Sequence, residues 1–166
     1  AHIRVAYELY GKTREIPPHL PNDVSSELTS EAVGQIPAAA GKLATVPLVA
    51  LAHGRSGDKG DIGNIGLIAR KTDYLPWIRR SATPEAVGRY FAHFVKGKVE
   101  RFEWPGLNGL NFMLHEGLAG GGIASLRHDP QGKALAQIFM DFPVEVPAAW
   151  LDTGGPLQDW PKEDSA

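Results

Sequence analysis

The sequence contains no cysteine among its 166 residues. Without a thiol the chain cannot form disulfides, thiolate nucleophiles, iron–sulfur clusters or cysteine-ligated zinc sites. Long hydrophobic runs are missing too, since no apolar stretch approaches the roughly 20 residues that cross a bilayer as a helix. We therefore expect a soluble, cytoplasmic protein with no membrane partner.

Excess positive charge is also absent. The 17 Lys and Arg residues face 19 Asp and Glu residues, and the formal net charge is -2 at pH 7. The basic residues are scattered along the sequence, whereas a surface for phosphate backbones needs them clustered. Nucleic acid is therefore not an expected partner.

Composition divides the chain into three parts. Residues 1–45 are interrupted by four prolines and are predicted to form an extended N-terminal arm, with one strand pattern at Ile3–Leu9. Residues 46–148 are predicted to form one folded domain. Residues 149–166 are polar and turn-rich, and they predict an extended C-terminal tail.

Hydrophobic patterns predict the elements of the domain. Thr83 and Pro84 are a typical N-cap and first residue of a helix. Strands are predicted at 46–53, 64–70 and 98–104, helices at 73–80, from Pro84 and at 110–118, and a long hairpin at 123–128 and 133–146 around a DPQG turn. This order predicts an α+β fold of the ferredoxin-like type, a mainly antiparallel sheet with helices packed on one face.

The most unusual segment is HGRSGDKGDIGN, residues 53–64, which we predict to be a loop joining two strands. Its glycines allow backbone N–H groups to approach a ligand, and Arg55 and Lys59 suit a phosphate or carboxylate. Asp58 and Asp61 balance these charges, however, and the glycine spacing matches neither a P-loop nor a dinucleotide fingerprint. A ligand site and a tight structural connection are both open alternatives.

Metal binding is a weaker alternative for the same segment. His53, Asp58 and Asp61 supply ligand types that a hard cation accepts. We predict neither a metal site nor a resident cofactor, because the balanced charges are equally consistent with pairing inside the loop.

A second polar segment, residues 106–122, follows later in the chain. If sheet pairing brings it beside the loop, Asn108, Asn111 and Lys59 supply donors and His115 supplies an acid–base group. Both asparagines also suit local backbone capping. The predicted catalytic residues are His115, Lys59 and Asp58, and the predicted substrate-binding residues are Arg55, Ser56, Gly57, Asn64, Asn108 and Asn111.

These segments carry a family resemblance. The motifs ALAHGRSGDKGDIGNIGLIARK, PWIRR and VERFEWPGLNGLNFMLHEGLAGGGIASLRHDPQGKALAQ occur in one order over about residues 46–148. They resemble the ferredoxin-fold domain of the acyclic terpene utilisation protein A (AtuA) family. There the domain either follows a large N-terminal domain or stands alone as a short protein, among genes for the breakdown of branched or isoprenoid acyl-CoA compounds.

The resemblance implies a small subunit of a heteromeric enzyme of acyl-CoA or branched carboxylic-acid metabolism, of lyase or hydratase type. Segment 53–64 would face a shared active site, and any CoA moiety would belong to the substrate. The expected partners are a larger AtuA-type catalytic subunit and a small carboxylate or acyl-CoA. The alternative is a non-catalytic module for ligand binding or assembly that recognises a CoA-type or carboxylate anion.

Overall fold

The structure, a computed structural model, describes residues 5–9, 12–16, 41–104 and 106–160. The chain divides into two compact units, Ala1–Gly34 and Gln35–Ala166. The rest of the predicted arm before residue 41, and residues 161–166 of the predicted tail, lie outside the described residues.

The first unit contains a β-hairpin. Strand β1 (Val5–Leu9) pairs antiparallel with strand β2 (Lys12–Ile16). The alternating pattern predicts β1, and the structure confirms it for Val5–Leu9. The pattern does not predict β2, which lies in the segment expected to be an extended arm.

The second unit combines strands with short helices. Its strands in the described residues are β3 (Leu43–Pro47), β4 (Ala52–Lys59), β5 (Ile62–Ala69), β6 (Val99–Trp104), β7 (Gly109–Leu114) and β8 (Pro143–Pro147). Its α-helices there are α1 (Leu75–Ser81), α2 (Pro84–Tyr90) and α3 (Leu135–Phe139). Short 3-10 turns occupy Leu48–Ala50, Thr72–Tyr74, Gly122–Ala124 and Ala148–Leu151.

A four-stranded sheet of order β4-β5-β7-β6 is the centre of this unit, and every neighbouring pair in it is antiparallel. Strands β3 and β8 form a separate antiparallel pair. The antiparallel sheets with a few helices confirm the predicted α+β, ferredoxin-like class.

Side chains on one face of the central sheet form the hydrophobic core. Ile65 and Leu67 of β5 and Phe112 and Leu114 of β7 alternate along their strands and are at most 1% exposed. Helix α3 packs against this face, where the ring centroid of Phe139 lies 5.4 Å from that of Phe112. The core therefore lies between the sheet and the helices.

The glycine-rich segment 53–64 is a hairpin rather than the predicted loop. Only Gly60 and Asp61 lie between the end of β4 and the start of β5. Gly60 has a φ of +64°, as the first residue of a tight two-residue hairpin turn often requires. The loop prediction was wrong because most of these glycines serve packing rather than turning.

The glycines inside β4 and β5 leave space for side chains from other elements. A Cβ on Gly54 would lie 2.7 Å from Met140 Cε, and one on Gly63 would lie 2.7 Å from Leu135 Cδ1. Both distances are too short for a real contact, so a side chain at either position would displace the end of Met140 or Leu135. Close packing thus accounts for Gly54 and Gly63, while Gly60 serves the turn.

Two further predictions of secondary structure were wrong. The segment 110–118 is not a helix, because its buried residues alternate along strand β7. The buried run 46–53 is not one strand: β3 ends at Pro47, a 3-10 turn follows, and β4 begins at Ala52. Its predicted burial is confirmed, since Leu48 and Leu51 are fully buried.

The predicted long hairpin at 123–128 and 133–146 was also wrong, because helix α3 and strand β8 replace its second strand. The DPQG turn itself is confirmed by a hydrogen bond from the Gly132 N–H to the Asp129 carbonyl, 3.2 Å long. Leu135 and Phe139 are both buried, at helical spacing. That spacing explains why the segment after the turn is helical.

The helix predicted from Pro84 is confirmed as α2, with Thr83 Oγ1 accepting a hydrogen bond from the Ala86 N–H at 3.2 Å. The C-terminal segment, in contrast, is not extended as far as it is described. It turns back after β8, and Leu157 is buried, with its N–H donating to the Trp150 carbonyl at 2.9 Å. Apolar residues within this polar stretch hold it against the core.

Candidate functional site

The face of the central sheet opposite the core is open in the described part of the chain. Ile68, Phe102 and Trp104 on this face are 44%, 49% and 36% exposed. Strand register and alternation assign the following side chains to this surface, which we call the open face: His53, Arg55, Asn64, Ile68, Phe102, Trp104, Asn111 and Met113.

A groove of about 490 Å³ runs along the open face over strands β4 and β5. Its lining comprises β4 from His53 to Asp58, Asn64, Gly66 and Ile68 of β5, Trp104 of β6, and Lys133 before α3. Four predicted substrate-binding residues and one predicted catalytic residue line it: Arg55, Ser56, Gly57, Asn64 and Asp58. We refer to this feature as the groove.

Arg55 and Lys133 give the groove two cations. Within the described residues, neither side chain has a hydrogen-bonding or ion-pair partner. A Cβ on Gly57 would lie only 3.3 Å from Lys133 Nζ, so the missing side chain at this position admits the ammonium group. Asp58 is the acidic residue of the lining, which leaves the groove with more positive than negative charge.

Ser56 lines the groove, but its hydroxyl is already used. The residue is 7% exposed; its Oγ donates to the Lys133 carbonyl at 3.0 Å and accepts from the Ala136 N–H at 2.9 Å. These bonds fasten the start of α3 to strand β4. Ser56 therefore holds Lys133 in place and has little capacity left for a ligand.

Asn64 and Asn111 are joined across strands β5 and β7. Asn64 Nδ2 donates to Asn111 Oδ1 at 2.7 Å and to Met113 Sδ at 3.3 Å. Asn64 Oδ1 and Asn111 Nδ2 make no hydrogen bond to any other described residue. The pair thus presents one acceptor and one donor beside the groove.

Four predicted site residues lie outside the groove lining: Asn111, which bonds to the lining residue Asn64, and Lys59, Asn108 and His115. Asn108 lies between β6 and β7, where its Nδ2 donates to Thr72 Oγ1 at 3.1 Å. Lys59 ends strand β4, and His115 follows strand β7. Strand β5 lies between those two strands, so sheet pairing does not make Lys59 and His115 neighbours.

His115 belongs instead to a charged cluster at one end of the open face. Its Nε2 lies 2.6 Å from Glu100 Oε2, and Lys98 Nζ donates to Glu100 Oε1 at 2.7 Å. The hydrogen bond from Lys98, and then that from His115, holds the pKa of the Glu100 carboxyl below its ordinary value of 4.5.

We expect Lys98→Ala to raise the pKa of Glu100 toward 4.5, because the larger of the two stabilising bonds is lost. A lowered pKa in the folded chain means that the carboxylate stabilises the fold at neutral pH. This contribution is lost as the pH falls through the lowered pKa. An NMR titration of the Glu100 carboxyl measures the change. Lys96→Ala, an exposed control, should not move it, and an unmoved midpoint in Lys98→Ala contradicts the assignment.

Asp61, in the β4–β5 turn, accepts hydrogen bonds that stabilise the fold. Its Oδ1 accepts hydrogen bonds from the Leu118 and Gly120 N–H groups at 3.0 and 2.8 Å, and its carbonyl accepts from the Gly117 N–H at 2.9 Å. Asp61 therefore fastens the segment after β7 to the turn. Among the described residues, no group of three or more His, Asp or Glu side chains is arranged to hold a metal ion.

Sequence reasoning missed Lys133, Trp104 and Ile68 as groove residues. The hairpin prediction placed Lys133 at the start of a strand. In the structure Lys133 directly follows the Asp129–Gly132 turn and precedes helix α3, and this position brings its side chain to the groove. Trp104 closes one side of the groove because Gly66 and Gly109 offer no side chain beneath it. In the sequence, glycines on two neighbouring strands indicate that a large side chain from a third strand can lie across them.

Comparisons with known proteins agree with this architecture. The model of the AtuA ferredoxin-like domain matches residues 46–145. No curated protein and no solved structure matched the chain. Among the described residues, none of the helices is both long and apolar enough to span a membrane. Because the family model covers more than half of the sequence, the chain belongs to the AtuA ferredoxin-like domain family.

Proposed function

We propose that the groove binds the anionic part of an acyl-CoA or related carboxylic acid, and that the chain acts as the small subunit of an enzyme whose larger subunit performs the chemistry. The observation that carries the proposal is the pair of cations, Arg55 and Lys133, facing one groove without partners among the described residues. Two unpaired cations beside one another favour an anion as the missing partner.

The positions of the two cations suit an oxyanion group. Arg55 lies opposite Gly66 in the strand pairing, and Lys133 Nζ lies close to Gly57, so each cation has a residue without a side chain beside it. A guanidinium binds carboxylate or phosphate through two parallel hydrogen bonds, while an ammonium adds a compact point charge. Such charge-assisted bonds are roughly twice as strong as neutral ones.

Apolar groups provide the rest of the contact. Ile68 of β5 and Trp104 of β6 line the groove and are partly exposed. Ligand sites usually combine a mainly apolar lining with a few polar groups that fix orientation. The groove thus suits a compound with an anionic head and an apolar body, as acyl compounds have.

The exposed apolar surface around the groove supports the proposal of a partner subunit. Beyond the groove, Phe102 and Leu107 are 49% and 57% exposed, and they extend the apolar surface around Trp104. Contiguous exposed apolar residues rimmed by polar ones are typical of protein interfaces. We propose that a larger AtuA-type subunit covers this surface and closes the groove, so that the groove is half of a shared site.

A second candidate function, lyase or hydratase catalysis by the chain's own residues, rests on the contact of 2.6 Å between His115 and Glu100. A carboxylate bound to one ring nitrogen orients a histidine for proton transfer by the other. His115 lies outside the groove lining, so this candidate requires a ligand that extends along the open face. The binding role needs no such extension and is favoured.

Calorimetry on the intact chain with isovaleryl-CoA and with free isovalerate tests the proposal. We expect Arg55→Ala and Lys133→Ala each to weaken binding roughly 10- to 100-fold, the loss typical of a hydrogen bond to a charged group. Arg89→Ala and Lys96→Ala remove matched, exposed cations outside the groove and should leave affinity unchanged. Equal affinity in all four variants, or no binding by the unmodified chain, contradicts the proposed role.

A further inference from the structure

Trp104 occupies a special place on the open face, above two glycines. A Cβ on Gly66 would lie 2.7 Å from Trp104 Cη2, and one on Gly109 would lie 3.2 Å from Trp104 Cε3. Gly66 and Gly109 belong to the neighbouring strands β5 and β7. The six-membered ring of the indole therefore extends from its own strand β6 across the backbone of the next two strands.

The position of this ring depends on both glycines. Contacts below 3.0 Å are not made by real Cβ atoms, so any other residue at Gly66 would displace the ring. Trp104 remains 36% exposed and lines the groove. A large aromatic surface is thus held at the groove instead of being buried in the core.

We propose that Trp104 is a stacking platform for the purine base of an adenine nucleotide, with the phosphates bound by Arg55 and Lys133. This inference rests on the proposed function and identifies the part of the ligand that the groove recognises, since an acyl-CoA carries an adenine nucleotide. Stacking of a base on an aromatic side chain is a recurrent mode of binding that every base permits.

The polar groups near Trp104 favour a nucleotide over a small carboxylic acid as the ligand. Arg55, Gly66 and Asn111 occupy one row across strands β4, β5 and β7. Neighbouring strands are about 4.8 Å apart, so the backbone positions that carry the cation and the amide lie within about 10 Å of each other, on either side of the glycine beneath the ring. A nucleotide has its base and its phosphates at a comparable separation.

The asparagine pair adds recognition of the base edge. Asn64 Oδ1 and Asn111 Nδ2, the acceptor and the donor without other partners among the described residues, lie beside the ring position. Adenine presents a donor and an acceptor next to each other on its edge, and an asparagine amide is a typical partner for them. A simple carboxylic acid offers no such edge, whereas the base uses both groups.

The experiment compares ADP with pyrophosphate, which shares the phosphates but has no base. Calorimetry on the intact chain is expected to give ADP an affinity roughly 10-fold or more above that of pyrophosphate, as base stacking provides. Trp104→Ala should remove this advantage while leaving pyrophosphate binding unchanged, and Trp104→Phe should keep part of it. Quenching of tryptophan fluorescence by ADP should be lost in Trp104→Phe.

Gly66→Ala gives a second test that leaves the tryptophan in the chain. The added Cβ displaces the indole, so the advantage of ADP should fall as it does in Trp104→Ala. Gly88→Ala is the matched control, because its Cβ would meet only Val99 Cγ2 at an ordinary 3.6 Å. Full retention of the ADP advantage in Trp104→Ala and Gly66→Ala overturns the stacking role.

The outcomes also separate this inference from the proposed function. If isovalerate and pyrophosphate bind in an Arg55-dependent way but ADP binds no better than pyrophosphate, stacking is refuted and the anion site stands. If neither anion responds to Arg55→Ala, the proposed function fails, and the phosphate part of this inference fails with it.

Discussion

Replacing Phe139 with alanine is expected to lower the free energy of unfolding by about 3–5 kcal/mol, the usual loss for a buried phenylalanine. Phe139 is fully buried, and its ring centroid lies within 5.5 Å of those of Phe91, Phe112 and Phe142. Removing the ring opens a cavity where α2, α3 and the sheet meet. Since small domains are stable by only about 5–15 kcal/mol, this is a large fraction of the total.

Phe102→Ala is the matched control for this prediction. Phe102 is 49% exposed on the open face, so its loss should change the free energy of unfolding by no more than about 0.5 kcal/mol, as is usual for surface positions. Urea denaturation of both variants measures the difference. Equal losses in the two variants would show that the core does not lie on the Phe139 side of the sheet.

Replacing Gly121 with alanine is expected to be comparably damaging, for a different reason. Gly121 has φ +66° and ψ 163°, a region that essentially only glycine adopts and that costs another residue about 1–3 kcal/mol. In addition, its Cβ would lie 1.9 Å from the Gly60 carbonyl oxygen, so the backbone must move. The substitution thus separates the turn of the β4–β5 hairpin from the segment that Asp61 fastens to it.

Gly122→Ala separates the two contributions to this effect. Gly122 also has a positive φ, +49°, but a Cβ there would meet nothing within 4 Å. It should therefore show the conformational penalty without the collision. We expect the urea midpoint of Gly121→Ala to fall well below that of Gly122→Ala, and equal midpoints would contradict the close approach of Gly121 to the turn.

Local signals in the sequence were sufficient for several elements. Thr83 and Pro84 predict the start of α2 because capping depends only on neighbouring residues. The alternation of Ile65 and Leu67 likewise predicts β5. Strand β7 was mistaken for a helix because Leu110, Leu114 and Leu118 also fit helical spacing, and only pairing with β5 and β6 decides between the two periods.

Part of the candidate site was predictable because several of its residues are close together in the sequence. Arg55, Asp58 and Asn64 lie in one segment, so a polar, glycine-rich motif marks them together. Lys133 and Trp104 come from elements that are distant in the sequence, and register and packing bring them to the groove. Such contacts depend on tertiary structure, which composition and spacing do not encode.

The charges of segment 53–64 balance in the sequence but not at the groove. In the sequence, Asp58 and Asp61 cancel Arg55 and Lys59. In the fold, Asp61 binds backbone N–H groups and Lys59 lies outside the groove lining, whereas Lys133 joins Arg55 there. The groove is therefore cationic although the segment is neutral, and this difference is the main support for an anionic ligand.

An NMR titration of the isotopically labelled chain with isovaleryl-CoA shows directly whether the groove is the ligand site. If it is, the largest changes in backbone amide shifts are expected around the groove, at Arg55, Gly57, Gly66 and Lys133. A second cleft of about 430 Å³, lined by Lys71 and residues 155–160, provides an internal comparison. Shifts centred on that cleft, with the groove unaffected, would contradict binding at the groove.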